Sequence, residues 1–421
     1  MNKKNCMILN LWACRNYGAI LTSFGVQCLF ENIGYSPKVI NYFPTFFAKE
    51  HYKNTFTQKF VEKYFHLTQE IKSIDDFNKL NQECSNFVVG SDQVWNFDIT
   101  KTHHENASEW VYLLDFVKSN AKKISYSASF GVNEFPKFDY SRRFYKHYLT
   151  QFDAISVREN SGIEILKNTF NIDGVQLIDG AFHIPKSMLD ELTQGYEKKE
   201  KYVGYFSLPG DTFTKEHEKY LKNLAKLLNL PFKRMAFDEK ISVEEWLAFI
   251  KNSDFFVTGS YHASVFAILF NKPFLQVKHK TTQARFESLY EVLNMNSPAI
   301  CIDEALNIDK IQNAMNIEWE SVNLKISEEV KKAQEWVLAV LNKEKEDNLQ
   351  NIQANILVSQ TQKEILKIRR QIGILTYQKN KTKIWFNYLK FKILAFVVFG
   401  RKKQFYTHKS QLLRSTINKY S

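Results

Sequence analysis

Apolar and polar positions over residues 1–185 alternate between two rhythms. Short apolar runs at 6–12 and 86–89, with further strand candidates at 124–129, 154–157 and 175–178, predict a series of strands. Segments 19–32 and 160–170 keep helical spacing, and the first closes at Gly34. Strands separated by helices of this length predict βαβ units and a mostly parallel sheet. A second alternating block begins near Lys201. It has strands at 202–207, 254–258 and 274–277 and helices at 214–228, 243–252 and 263–270. Segment 185–200 is charged and lacks clear apolar periodicity, which places a boundary between a domain over 1–190 and a second over 198–344. An amphipathic helix over 323–341 is expected to close the second.

The composition of the 421 residues, 44% hydrophobic and 24% charged, is globular and excludes a disordered chain. The formal charge of +12 is uneven: residues 345–421 hold 16 Lys+Arg and 3 Asp+Glu, leaving 57 − 16 = 41 basic and 45 − 3 = 42 acidic residues in 1–344. The body is thus neutral and carries no nucleic-acid footprint. Five scattered cysteines without metal-ligand spacing read as reduced thiols. The apolar run 7–13 is followed by Arg15 and Asn16 instead of a cleavage pattern, so a cytoplasmic chain is expected.

In a parallel sheet, ligand-binding residues collect at the carboxyl ends of strands. The predicted strands end at Asn16/Tyr17/Gly18, Ser91/Asp92, 127–131, Arg158, Asp179 and His262. His262 lies between a strand and a helix, where free N–H groups and the helix dipole favour an anion and an imidazole can move a proton. The bland alternative is a histidine that packs the helix start. Arg158 can fork onto a phosphate or carboxylate, or can pair with Glu159 or Glu164. Asp92 can serve as a base or hydroxyl acceptor, or as a turn residue; Asp179 before Gly180 reads as a turn. Dinucleotide, P-loop, nucleophile-elbow and zincin patterns are missing from the sequence. His103-His104-Glu105 lies in a loop-like stretch where adjacent histidines point apart, and no metal site is expected.

These segments, in order, resemble the polysaccharide pyruvyl transferase family. The matching pieces are Arg15-Asn16-Tyr17-Gly18-Ala19, Gly90-Ser91-Asp92-Gln93-Val94-Trp95, Ser125-Tyr126-Ser127-Ala128-Ser129-Phe130-Gly131 and Ile155-Ser156-Val157-Arg158-Glu159-Asn160-Ser161-Gly162. They continue with Asp179, Thr258-Gly259-Ser260-Tyr261-His262-Ala263, Phe270-Asn271-Lys272-Pro273-Phe274 and Arg285-Phe286-Glu287-Ser288-Leu289. The resemblance covers about residues 5–340. It implies an α/β fold of two Rossmann-like domains in a GT-B-like arrangement. It also implies transfer of the enolpyruvyl unit of phosphoenolpyruvate to two hydroxyls of a sugar on a cell-surface glycan or its lipid-linked precursor. The product is a pyruvate ketal; no cofactor is implied beyond phosphoenolpyruvate as co-substrate.

By that resemblance, His262 and Asp92 are catalytic candidates, and Arg158, Arg285 and Ser260 bind the donor. Asn16, Tyr17, Gly18, Ser91 and Asp179 contact the acceptor or support the site. The family commonly reads Thr-Asp-Ser-Phe-His-Gly where this chain has Thr258-Gly259-Ser260-Tyr261-His262-Ala263, and Asp-Pro where it has Asp179-Gly180. A GT-B-type glycosyltransferase and an inactive scaffold in glycan assembly are the competing readings.

The tail has its own character. In 384–399, 13 of 16 residues are apolar or aromatic, Lys383 precedes them and Arg401-Lys402-Lys403 follow. Sixteen helical residues span about 24 Å, short of a hydrocarbon core of roughly 30 Å. A helix lying on an anionic membrane surface through 384–403 is therefore expected, against the alternative of a helix docked on the body.

Overall fold

Two all-parallel sheets carry the chain. The first has six strands: β1 (Lys4–Leu9), β2 (Tyr35–Val39), β3 (Asn86–Val89), β4 (Lys122–Ala128), β5 (Ala154–Val157) and β6 (Val175–Gln176), in the order β2-β1-β3-β4-β5-β6. The second has five: β7 (Val203–Ser207), β8 (Phe232–Ala236), β9 (Phe255–Thr258), β10 (Phe274–Val277) and β11 (Ala299–Ile300), in the order β11-β10-β9-β7-β8. This computed structural model describes residues 4–344 apart from 45, 101–110, 137–138, 198, 209–212, 237–240 and 279–282. Residues 347–421 belong to a unit separate from 1–346. The expectations for the tail, and for His103-His104-Glu105, lie outside the described residues.

The two sheets share one plan. Each reverses its strand order beside its first strand, between β1 and β3 and between β7 and β9, so each has a switch point of the kind at whose carboxyl ends open α/β sheets bind ligands. The fold class is α/β with two parallel Rossmann-like sheets, as the family resemblance implied.

A seam of two helices buried along nearly their whole length joins the halves. Helix Tyr17–Asn32 is buried from Tyr17 through Phe30, and helix Tyr261–Leu269 is buried from Tyr261 through Ile268. Helices buried on every side belong inside a core. One continuous apolar cluster accordingly runs from Ile8, Leu21 and Val26 of the first half to Val265, Phe266 and Trp246 of the second. Small residues permit the closest approaches. A Cβ on Gly25 would lie 2.0 Å from the Gly180 carbonyl oxygen, and one on Gly18 would lie 2.4 Å from the His262 side chain.

Several elements differ from the sequence reading. Segment 185–200, read as an irregular boundary, contains helix Lys186–Leu192 with Leu189 and Leu192 buried. The closing helix runs over Trp319–Asn342, and Lys122 Nζ of β4 donates to Val340 O at 2.9 Å and Leu341 O at 2.7 Å. A lysine on the last carbonyls is a C-terminal cap favoured by the helix dipole. All five cysteines are free.

Candidate functional site

Strand ends deliver the predicted residues to one buried cluster. Arg158 follows β5, Asp92 follows β3 and Asp179 follows β6, while His262 is the second residue of the helix after β9. Arg158 Nη1 donates to Asp179 Oδ2 at 2.8 Å and to Asp92 Oδ1 at 3.3 Å; its Nε donates to Glu159 Oε2 at 3.3 Å. His262 Nε2 stands 3.7 Å from Asp179 Oδ2, beyond hydrogen-bond reach but within ion-pair range when protonated. The cluster therefore joins a guanidinium of the first sheet to an imidazole of the second.

Asp179 is the hub. Its side chain is fully buried, and its Oδ1 accepts from Thr22 Oγ1 at 2.6 Å and from Ala181 N at 2.9 Å. Burial works against its charge, yet His262, Arg158 and the Thr22 hydroxyl outweigh burial and hold its carboxyl well below the usual carboxylate range. Burial likewise opposes charge on Arg158, but Tyr261 and the three carboxylates raise its pKa further. Read from sequence as a turn, Asp179 does cap the turn Gly180–His183, and it also holds the ionic network. The pairing of Arg158 with Glu159, one of the bland alternatives, is present as well.

Among the described residues, three buried donors at this place, Arg158 Nη2, His262 Nε2 and Arg285 Nε, make no hydrogen bond. Buried donors are nearly always satisfied, so an orphan set invites a ligand. Arg285 joins the group through Tyr261: its guanidinium carbon is 5.9 Å from the ring centroid, and that of Arg158 is 4.3 Å away. Burial, followed by repulsion from Arg158, lowers the pKa of Arg285. Two guanidinia drawn to one ring are a receptor for negative charge.

The remaining candidates hold the frame. Asn16 caps helix Tyr17–Asn32, its Oδ1 accepting from Gly18 N at 3.0 Å and Ala19 N at 3.3 Å. Tyr17 OH donates to Ile241 O at 2.8 Å, linking the halves. Gly18 leaves room for His262. Ser260 caps the helix of His262 by accepting from Ala263 N at 3.4 Å. Ser91 Oγ donates to Ser127 O at 3.1 Å and accepts from Gly180 N at 3.4 Å, tying β3 to the turn that bears Asp179. Asp92 adopts a left-handed φ of +76°, which aspartate tolerates better than most residues.

Sequence reasoning did not single out Thr22 or His183, and it gave Glu159 only as a possible partner of Arg158 and Tyr126 only as part of a matching segment. Glu159 accepts from the Ser129 hydroxyl beside Arg158. Behind the cluster, Tyr126 OH bonds His183 Nε2, and burial pushes the His183 imidazole down to about 3. Among the described residues, no group of three or more His, Cys, Asp or Glu has a metal-binding arrangement.

Comparison with known proteins completes the picture. No curated protein matches the chain. Similar solved structures include a UDP-GlcNAc 2-epimerase from Neisseria meningitidis bound to UDP-GlcNAc, at 12% identity and TM-score 0.45, covering 80% of this chain and 99% of that one. Another is the S. aureus MnaA–UDP co-structure, at 13% identity and TM-score 0.43, covering 82% and 100%. The glycosyltransferase SnogD from Streptomyces nogalater is a third, at 9% identity and TM-score 0.42, covering 80% and 100%. A family model, polysaccharide pyruvyl transferase, matches residues 16–279, more than half of the chain. By that match the chain belongs to the polysaccharide pyruvyl transferase family, and it is a transferase.

Proposed function

We propose that this chain joins the enolpyruvyl carbon of phosphoenolpyruvate to two hydroxyls of a sugar, forming a cyclic pyruvate ketal and releasing inorganic phosphate. The observation that carries this reading is the orphan donor set of Arg158 Nη2, Arg285 Nε and His262 Nε2 at the carboxyl ends of both sheets. Carboxylate and phosphate of one small donor match two guanidinia, and an imidazole beside them can deliver a proton.

The chemistry follows from that placement. Protonated His262 gives its proton to the donor methylene, which becomes the methyl group. Positive charge develops on the carbon bearing carboxylate and phosphate, and the first sugar oxygen bonds there as its proton leaves. The carbon–oxygen bond to phosphate then breaks, and the second sugar oxygen bonds to the same carbon. Of the two hydroxyl protons, one restores His262 and the other leaves on phosphate. Arg158 and Arg285 hold the anions; Asp92, 3.3 Å from Arg158 with its side chain 10% exposed, is the candidate to take up a hydroxyl proton and pass it on to the departing phosphate. Ser260 acts by fixing the helix start that presents His262.

The acceptor is a glycan or its lipid-linked precursor. In this reading the 384–403 segment rests on an anionic membrane surface, a role supported by sequence alone. No described helix is long and apolar enough to cross a membrane. The test is phosphate release from phosphoenolpyruvate with a panel of sugar acceptors. Release that depends on sugar and is lost in His262→Ala supports the reading. Release from no acceptor, or full activity in His262→Ala, contradicts it. Deleting 384–421 should abolish co-flotation with anionic vesicles; unchanged flotation ends the membrane role.

A further inference from the structure

Tyr261 opens the helix that carries His262, and its surroundings exceed what packing requires. Its ring is flanked by the guanidinium carbons of Arg158 at 4.3 Å and Arg285 at 5.9 Å. The ring centroids of His262 and Phe286 lie at 5.3 Å and 5.6 Å, both edge-on. Only 6% of the residue is exposed. Its hydroxyl has no hydrogen-bond partner among the described residues, yet it is not sealed as Arg158 Nη2 and His262 Nε2 are. The phenol oxygen is thus left open, and Arg158 and Arg285 lie near enough to act on its charge.

The electrical setting makes that oxygen a donor. Burial, with Asp179 and Glu159, raises the phenol pKa against the opposing pull of Arg158 and Arg285, so the proton stays on. A ring serving only as a platform for two cations needs no hydroxyl.

We propose that the Tyr261 hydroxyl donates a hydrogen bond to the anion held by Arg158 and Arg285, a carboxylate or phosphate oxygen, and is a specificity-determining contact of the donor site. The inference rests on the donor reading above. A neutral donor beside two guanidinia discriminates by position, since an anion that reaches both cations but not the phenol forgoes one charge-assisted bond.

The experiment compares the full chain with Tyr261→Phe and Tyr261→Leu by calorimetric binding of phosphoenolpyruvate, pyruvate and inorganic phosphate, alongside melting temperature. The expected result is roughly 10- to 100-fold weaker phosphoenolpyruvate binding by Tyr261→Phe, the scale of a lost hydrogen bond to a charged group, with an unchanged melting temperature. The same weakening for phosphate alone assigns the contact to the phosphate, and for pyruvate alone to the carboxylate. If Tyr261→Phe binds like wild type while Tyr261→Leu does not, the ring is a platform and the inference is overturned with the donor reading intact. If wild type binds none of the three, both are overturned.

Discussion

Replacing Asp179 with asparagine removes a charge and almost no volume. The lost interactions are the 2.8 Å ion pair with Arg158 and the 3.7 Å contact with His262; an amide oxygen can still accept from Thr22 and Ala181. Removing one partner of a buried ion pair costs about 3–5 kcal/mol, because the other charge stays uncompensated. Arg158 retains Asp92 and Glu159, each at 3.3 Å, so the expected loss lies at or just below that range, about 2–3 kcal/mol. A double-mutant cycle with Arg158→Met isolates the pair, with an expected coupling of about 2 kcal/mol. The assay is urea unfolding of the full chain at pH 7, followed by tryptophan fluorescence and repeated in 0.5 M salt. A buried pair is screened little, so the coupling should persist in salt. Coupling under about 0.5 kcal/mol, the scale of an exposed pair, would refute the reasoning.

Two further outcomes follow from the packing and from the buried imidazole. Gly18→Ala puts a Cβ 2.4 Å from His262 Cβ, Cγ and Nδ1, so it should displace the imidazole and lower kcat at least about 100-fold with the circular dichroism spectrum retained; activity within a few-fold of wild type would contradict the contact. His183 is neutral and held at about 3, against an unfolded value of about 6.5, so the native state loses stability as pH falls through the window between them. His183→Gln should therefore lose roughly 2 kcal/mol less than wild type between pH 6.5 and 4.5, and parallel stability curves would contradict this.

What the sequence revealed follows from where apolar residues are forced to cluster. The inner strands β1, β3, β5, β7, β9 and β10 are covered on both faces, so each leaves a largely apolar run that can be read directly, whereas buried β4 sets serine at alternate positions. The strands that escaped notice are edges. In β2, Tyr-Ser-Pro-Lys-Val alternates buried and exposed positions around Pro37; β8 is Phe-Lys-Arg-Met-Ala; β11 has two residues. Edge strands carry charge and proline because one side meets no partner, which erases the signal. At the site, strand-end position predicted Asp92, Arg158 and His262 individually. It could not predict that Arg158 reaches Asp92 across 66 positions and Asp179 across 21, because residue types name chemistry but not partners. Asp179 illustrates the limit: Asp before Gly is ordinary turn chemistry, and only the fold places Arg158 and His262 on its outer oxygen.

A crystal structure of the full chain with phosphoenolpyruvate bound tests the central claim most directly. The account predicts its carboxylate and phosphate within hydrogen-bond distance of Arg158 Nη2, Arg285 Nε and His262 Nε2, with the methylene facing the imidazole. Phosphoenolpyruvate bound away from these three atoms, or not bound at saturating concentration, would contradict it.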